Sequence, residues 1–379
     1  MRYCISCVLP DTRPNLEINL ETGLCDGCSR TDSKERDVNW DERELAFKSL
    51  VNNTKKRSNN GYDCLIPVSG GKDSTWQVIT CLKYGLKPLC VTWKTPSRTN
   101  IGQKNLDNLI ALGVDHIDYQ INPKVEKKLL YRALVDYGAI GIPMHFGIYP
   151  MQLKLALNFN IPLIVWGENS GMEYGGGSDE TNGFKLTSKW LEKFGVTHGT
   201  NTEDWVSNEV SEQDLIAYSC PSDEEIEAQG INAVFLGYYF KWDPEMTYRI
   251  AKDAGFLPRK NGPKLGLYDF TDIDCNFISL HHYPKWLKFG FTRLWDNVSL
   301  EIRNGRMTRN EAIEIIKDKG DQTPHKDIDK FCKFVDIRVS HFHEICEKYR
   351  NLDIWYHHDG VWKIQNFLIK DWDWDYENR

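Results

Sequence analysis

The segment that most restricts this chain is Ser69-Gly70-Gly71-Lys72-Asp73-Ser74, set between a short apolar run at 62–68 and a helical pattern from Ser74 to Tyr84. Two adjacent glycines allow a tight turn that brings backbone N–H groups onto an anion, and the following helix N-terminus adds its partial positive charge. Lys72 supplies a point charge there, and the hydroxyls of Ser69 and Ser74 supply hydrogen bonds to phosphate oxygens. Asp73 is an anion beside an anion, which makes sense if it holds Mg²⁺ or orients a loop amide. The spacing is too short for Gly-x-x-x-x-Gly-Lys-Ser/Thr, so the phosphate cradle of kinases and GTPases is excluded. A ligand-free Gly-Gly turn is the competing reading.

Around this loop strands alternate with helices. The runs 62–68, 86–93, 116–121, 161–166 and 233–239 read as strands, with helical stretches at 74–84, 100–112, 124–137 and 151–158 between them. The alternation predicts an α/β fold, a doubly wound parallel sheet with helices on both faces. Ligands of such sheets sit beyond the carboxyl ends of the strands. Val91-Thr92-Trp93 and Trp166-Gly167-Glu168-Asn169 end two of them and would face the same crevice as the loop. Ser170 to Phe184, polar and containing three consecutive glycines, is long enough to act as a lid or to be a plain surface loop. Residues 308–317 and 327–349 read as helices, and Trp372-Asp373-Trp374-Asp375 as a frayed tail or a partner anchor.

Residues 1 to about 40 have too little apolar periodicity to build a core without a staple. Cys4-x₂-Cys7-x₁₇-Cys25-x₂-Cys28 has the spacing of a zinc ribbon, in which four thiolates hold one tetrahedral ion whose binding free energy folds the module. A redox Cys-x-x-Cys lacks its thioredoxin-like context. Gly23-Leu24-Cys25-Asp26-Gly27 has the form of a nucleophile elbow, but the residues before it supply no apolar strand. Cys64, Cys81, Cys90, Cys220, Cys275, Cys332 and Cys346 lie mostly within apolar patterns and read as core. The odd count of 11 cysteines and the absence of an apolar leader argue against a secreted disulfide framework, so a cytoplasmic protein is expected. No run approaches the roughly 18 apolar residues of a membrane span. A net charge of −7 argues against a large nucleic-acid footprint; Lys55-Lys56-Arg57 and Lys124 with Lys127-Lys128 read as solvated faces.

All six positions of the loop resemble the PP-loop of the ATP pyrophosphatase superfamily, whose members adenylate a substrate oxygen and release pyrophosphate. The resemblance implies an ATP site on Ser69, Gly70, Gly71, Lys72, Asp73 and Ser74, with Lys72 and Asp73 catalytic and Mg²⁺ as companion ion. It implies further that Val91, Thr92 and Trp93 meet the adenine and that Gly167, Glu168 and Asn169 form a second signature at the nucleotide. Members that activate tRNA bases for sulfur usually carry further paired cysteines near the nucleotide, and no second Cys-x-x-Cys follows the loop. tRNA 2-thiolation is therefore the runner-up, and a zinc-ribbon adaptor with a degenerate site is a third reading that the intact Lys72-Asp73-Ser74 disfavours.

The chain as a whole is similar to the N-acetyl sugar amidotransferase family of bacterial surface-glycan synthesis. The likeness is carried by 3–14, by Gly23-Leu24-Cys25-Asp26-Gly27-Cys28, by the loop, by Trp166-Gly167-Glu168-Asn169 and by 281–291. It implies conversion of an acetamido group on a nucleotide-activated sugar or a nonulosonic acid to an acetamidino group. The nitrogen would come from a separate glutaminase, with an ammonia-channelling companion, because the chain begins Met1-Arg2 and its Gly-x-Cys-x-Gly belongs to the quartet. Glu173, Tyr174, His281, His282, Lys285 and Lys288 are the candidate substrate contacts, although paired histidines in an aromatic segment are more often packed or exposed than catalytic. The expected organisation is a zinc-ribbon module at 1–40, an ATP-binding domain at 41–257 and a mostly helical region at 258–379.

Overall fold

The protein, a computed structural model, is described over residues 1–58, 61–175, 183–195, 197–320 and 323–374. The chain opens with two short antiparallel bridges, Tyr3 with Pro10 and Ile18 with Cys25, before helix α1 (Asp26–Asp37). Cys25 caps α1, its sulfur accepting the Cys28 amide. Helix α2 (Trp40–Arg57) is capped by Asn39, with Asp41 and Glu42 in its first turn and Lys55, Lys56 and Arg57 in its last, which matches the helix dipole at both ends. Its buried stripe, Phe47, Val51 and Thr54, lies against the sheet.

The sheet has five strands, β1 (Cys64–Pro67), β2 (Pro88–Trp93), β3 (Asp115–Tyr119), β4 (Leu163–Trp166) and β5 (Asn232–Phe235), in the order β3-β2-β1-β4-β5 with every pairing parallel. Helices α3 (Lys72–Lys83) and α4 (Asn100–Ile110) cover one face; α5 (Pro123–Tyr137) and α6 (Ile142–Asn158) cover the other. The side chains obey the period of two that a strand imposes. Cys64, Ile66, Cys90, Leu163 and Val165 enter the α3 core, whereas Leu65, Leu89, Val91, Trp93 and Ile164 enter the α6 core. The expected doubly wound parallel sheet is thus present, and its strand order reverses between β1 and β4. The loop after β1 and the segment after β4 consequently open into one crevice.

The structure differs from the sequence reading at four places. The run 233–239 is not one strand: β5 stops at Phe235 and Leu236–Tyr239 turns into a short helix, because the Gly237 amide donates to the Gly167 carbonyl at 3.0 Å while Leu236 and Tyr239 enter the core. Helix α6 begins at Ile142 rather than near 151, and Gly147 and Pro150 lie within it on its buried face. A Cβ on Gly147 would stand 2.1 Å from the Trp93 ring, so only glycine lets α6 approach β2. The span 327–349 is two helices, His325–Val335 and Val339–Glu347, parted by Asp336 in the left-handed region at φ +64°. Lastly, Trp355–His358 and Val361–Ile364 form an antiparallel hairpin whose turn, Asp359-Gly360, has both φ angles positive. Asp-Gly between such runs is a hairpin signal that the sequence reading passed over.

The C-terminal helices pack on one another and on the N-terminal cysteine segment. Cys4, Cys7, Val8, Leu9 and Leu16 share a core with Trp286, Phe291, Trp295, Phe331, Phe342 and Trp355. Trp372 is buried in this core against Phe367, at 5.2 Å between ring centroids. The segment expected to fray is anchored through Trp374, and Asp375 lies outside the described residues. Among the described residues no helix is long and apolar enough to cross a membrane.

Candidate active site

The loop after β1 has the shape its sequence requires. Gly70 sits at φ +78°, and a Cβ there would stand 2.6 Å from the Leu106 backbone nitrogen, so conformation and space both demand glycine. Gly71 caps α3 without a side-chain bond, leaving first-turn amides directed at the loop. Ser69 is exposed and accepts the Gly71 amide at 3.2 Å, whereas the Ser74 hydroxyl donates to the Gly71 carbonyl at 3.0 Å. Lys72 is 3 % exposed. Its Nζ lies 2.6 and 2.7 Å from the two Asp73 oxygens, donates to the Thr247 hydroxyl at 3.1 Å, and sits 5.3 Å from the Trp242 ring centroid. Asp73 also accepts from the Trp242 indole at 3.0 Å and from the Thr247 hydroxyl at 2.9 Å. Its carboxylate thus holds Lys72 and the helix Pro244–Asp253 rather than a loop amide.

The segment after β4 meets the loop from the other side of the switch point. Gly167 packs against the Gln77 side chain of α3, whose Nε2 would lie 2.4 Å from a Cβ placed there. Burial, reinforced by the nearby Asp73 carboxylate, pushes Glu168 up to about 7. The Lys72 ammonium offsets part of this repulsion. Asn169 is fully buried and caps helix α7 (Ser170–Tyr174), its Oδ1 accepting the Gly171 amide and the Trp190 indole, each at 3.0 Å. At β2, Val91 and Trp93 point into the core and the Thr92 hydroxyl donates to the Val68 carbonyl at 2.7 Å, so this strand end offers backbone and a packed Trp93 edge.

From Glu168 a cavity of 530 Å³ runs toward the C-terminal helices. Tyr174, His281, Lys285 and Lys288 line it, as do Arg13, His145, His198, Arg293 and Asp296, which the sequence reading had not singled out. Arg13 Nε donates to Asp296 at 2.9 Å and Lys285 lies 3.7 Å from the same carboxylate. Burial would raise Asp296, but Arg13, Lys285 and Arg293 hold it well below the usual carboxylate range. Burial brings Lys285 down to about 8. His145 and His281 have ring centroids 5.6 Å apart, and burial lowers both, disfavouring the charged form. Lys288 donates to the Tyr137 carbonyl at 2.8 Å. His282 is set apart: it lies outside this cavity, 3.7 Å from Asp272, and burial lowers it to about 4. Glu173 meets the site through its backbone, accepting from Arg303 at 3.1 Å. Of the expected lid, residues 176–182 lie outside the described residues; 170–174 is α7, and 184–186 bonds to β5.

The four cysteines come together behind α7. Their sulfur atoms all lie within 4.8 Å of one another and are buried, with Cys4 to Cys28 at 3.9 Å and Cys7 to Cys25 at 3.7 Å. Zinc–thiolate bonds of about 2.3 Å in a tetrahedron place sulfurs about 3.8 Å apart, so the quartet fits that ion, which it can hold as a structural centre. Arg303 reaches between this centre and the crevice: Nη2 lies 3.4 Å from Cys25 sulfur while Nη1 bonds the Glu173 carbonyl. Arg30 of α1 donates to the Gly171 carbonyl at 2.9 Å. Thus α7 is clasped by the cysteine segment as well as by the sheet.

Residues 267–368 match the family model described as LPS biosynthesis protein WbpG-like, C-terminal domain. No curated protein matches the sequence. Similar solved structures include NMN synthetase from Francisella tularensis, at 12% identity and TM-score 0.36 over 83% of this chain and 98% of that one. Another is the NH3-dependent NAD synthetase from Campylobacter jejuni, at 14% identity and TM-score 0.31 over 57% and 93% of the two chains. A third is a predicted subunit of tRNA methyltransferase from Methanocaldococcus jannaschii, at 14% identity and TM-score 0.29 over 50% and 73%. At such distances none of these speaks to activity.

Proposed function

We propose that this chain is an ATP-dependent amidotransferase that converts the acetamido group of a nucleotide-activated sugar or nonulosonic acid into an acetamidino group. The observation that carries the reading is the position of Glu168. It faces Asp73 and Lys72 of the anion-cradling loop and at the same time lines the 530 Å³ cavity that Arg13, Lys285, Lys288 and Arg293 make cationic. A nucleotide and a second, anionic substrate therefore find their sites side by side. The family match at 267–368 supports the glycan context, because His281, Lys285, Lys288, Arg293 and Asp296 of the cavity all fall within it.

The chemistry suits this arrangement. An amide oxygen is a poor leaving group, so it attacks the α-phosphorus of ATP, the bond to the β-phosphate breaks, and pyrophosphate departs from the loop. Lys72 and the α3 amides offset its charge, and Mg²⁺ held by Asp73 and Glu168 would add a Lewis acid. Ammonia then attacks the activated carbon, AMP leaves, and a neutral imidazole, His145 or His281, takes the proton that the new C–N bond releases. Arg13, Lys285 and Lys288 hold the sugar substrate's anionic group, and positioning rather than a protein nucleophile does the rest.

The test is ATP-pyrophosphate exchange with acetamido-sugar nucleotides and, separately, with tRNA. Exchange that depends on the sugar nucleotide, yielding AMP and an amidine product in ammonium, is expected; exchange that depends on tRNA alone would make this a thiolation-type enzyme. The nitrogen donor follows from the same reading: the isolated chain should use ammonium but stay inactive with glutamine until a separate glutaminase is added. Glutamine-dependent turnover by the chain alone, lost in Cys25→Ala with zinc retained, would overturn that part.

A further inference from the structure

A second cavity, of 110 Å³, lies on the other side of His281. Its walls are apolar and aromatic, among them Trp93, Leu130, Ile140, Met144, Phe277 and Ile278. Into this small space come polar groups that the protein leaves unsatisfied. Glu126 of α5 is 6 % exposed, and no hydrogen bond or ion pair of its carboxyl is found among the described residues. Among the described residues the Tyr218 hydroxyl and the His281 Nδ1 are buried and find no partner. Asp274 adds a second carboxyl, and among the described residues no lysine or arginine lines the cavity. Buried polar groups left unpaired are costly, and two of them from separate elements, with the Glu126 carboxyl beside them, mark this cavity as a place for a ligand.

The lining also states what the site takes. Two carboxyls, a phenol and an imidazole accept hydrogen bonds or attract positive charge. A purine would bring ring-nitrogen acceptors that need donors, and the lining has no charged donor to meet them. A divalent metal needs its ligand atoms to converge on one point, and among the described residues Glu126, Asp274 and His281 do not form such a group. What remains is a small monovalent cation with several N–H groups. We propose that this cavity is the binding site of the ammonium ion that supplies the nitrogen, and that His281, which lines both cavities, stands where ammonia passes into the crevice. This rests on the amidotransferase reading. In the site the ammonium ion gives one proton to the Glu126 carboxylate, ammonia moves past His281, and the carboxyl returns that proton to solvent. Burial pushes Glu126 up to about 7, so it can both take and release a proton near neutrality. The apolar walls favour neutral ammonia over the ion once the proton has gone.

Two variants test the site. Glu126→Gln removes the acceptor and Met144→Trp fills the cavity from its half-buried rim. Each should raise the KM for ammonium at least tenfold and leave the KM for ATP within twofold, with circular dichroism unchanged. The activated intermediate should then partition to water, giving AMP with unconverted sugar. A rise in the KM for ATP instead would assign the cavity to the adenine, and unchanged ammonium kinetics in both variants would overturn the proposal. A binding measurement separates it from the reading it rests on. Ammonium chloride should raise the melting temperature of the resting protein in a saturable way that potassium chloride does not match and that Glu126→Gln abolishes. If wild-type protein forms no amidine yet shows this stabilisation, the amidotransferase reading falls and the cation site stands. Equal stabilisation by potassium would make it a metal-cation site and end the proposal.

Discussion

Lys72 is a buried ammonium satisfied by Asp73 and Thr247, so the loop holds its charge in place before any nucleotide arrives. Removing it should abolish formation of AMP and pyrophosphate, at least a hundredfold in rate. The loss of stability should be modest, about 1–3 kcal/mol, because Asp73 keeps its bonds to Trp242 and Thr247. Pyrophosphate release together with a thermal melt of Lys72→Ala checks both, and ADP as a product would refute the adenylation chemistry. Lys285 makes a pH prediction. Its folded-state value, about 8, is below that of an ordinary lysine, so the folded protein sheds this proton first as pH rises. The cation is nearly complete below about pH 7, half present near pH 8 and largely lost above about pH 9, so the KM for an anionic sugar substrate should climb between about pH 7 and 9. Lys285→Arg keeps its charge and should flatten that limb. A profile identical to wild type would show that Lys285 does not meet the substrate.

Helix α7 has five residues and could not persist alone. It exists because Asn169 caps it, Arg30 holds the Gly171 carbonyl, and Arg303 ties the Glu173 carbonyl to Cys25. Arg303→Leu should therefore leave about one zinc per chain while loosening α7. Hydrogen exchange across 170–175 should speed up at least tenfold and the KM for sugar substrate should rise. If exchange there is unchanged, the cysteine centre and the crevice are mechanically separate. The corresponding contact of α1 is so close that a Cβ on Gly27 would stand 2.5 Å from the Arg303 guanidinium.

For the whole molecule, the first residues belong to the core of the last. Cys4, Cys7, Val8, Leu9 and Leu16 are packed among the C-terminal helices, and Arg13 satisfies the buried Asp296. Deleting residues 1–39 would expose that core and remove the Arg13 partner of Asp296, leaving Lys285 and Arg293 to offset its charge. The remainder should not fold: no cooperative melt and aggregation on expression. Chelation of the metal from intact protein should lower the melting temperature for the same reason, with loss of one zinc by metal analysis. A stable, monomeric 40–379 fragment would show that the two ends fold independently.

Much of this was legible in the chain. Strict alternation of apolar residues with helical patterns determined the parallel sheet, since strands buried on both faces and joined by helices have no other stable arrangement. The loop was legible because its chemistry is local: Gly70 and Gly71 set a backbone whose shape and amides need nothing distant. The cysteine quartet was legible for the same reason of spacing. What the sequence could not carry is whatever depends on which distant segments meet. Nothing near Arg13 announces Asp296, 283 residues on, and nothing near Glu126 announces Tyr218 or His281. Of two adjacent histidines, His281 faces the cavities while His282 turns to Asp272, a choice made by helix packing. Patterns within a few residues follow from backbone sterics and periodicity, whereas long-range pairing, burial and the charge balance of a crevice arise only when the sheet, the C-terminal helices and the cysteine segment close on one another.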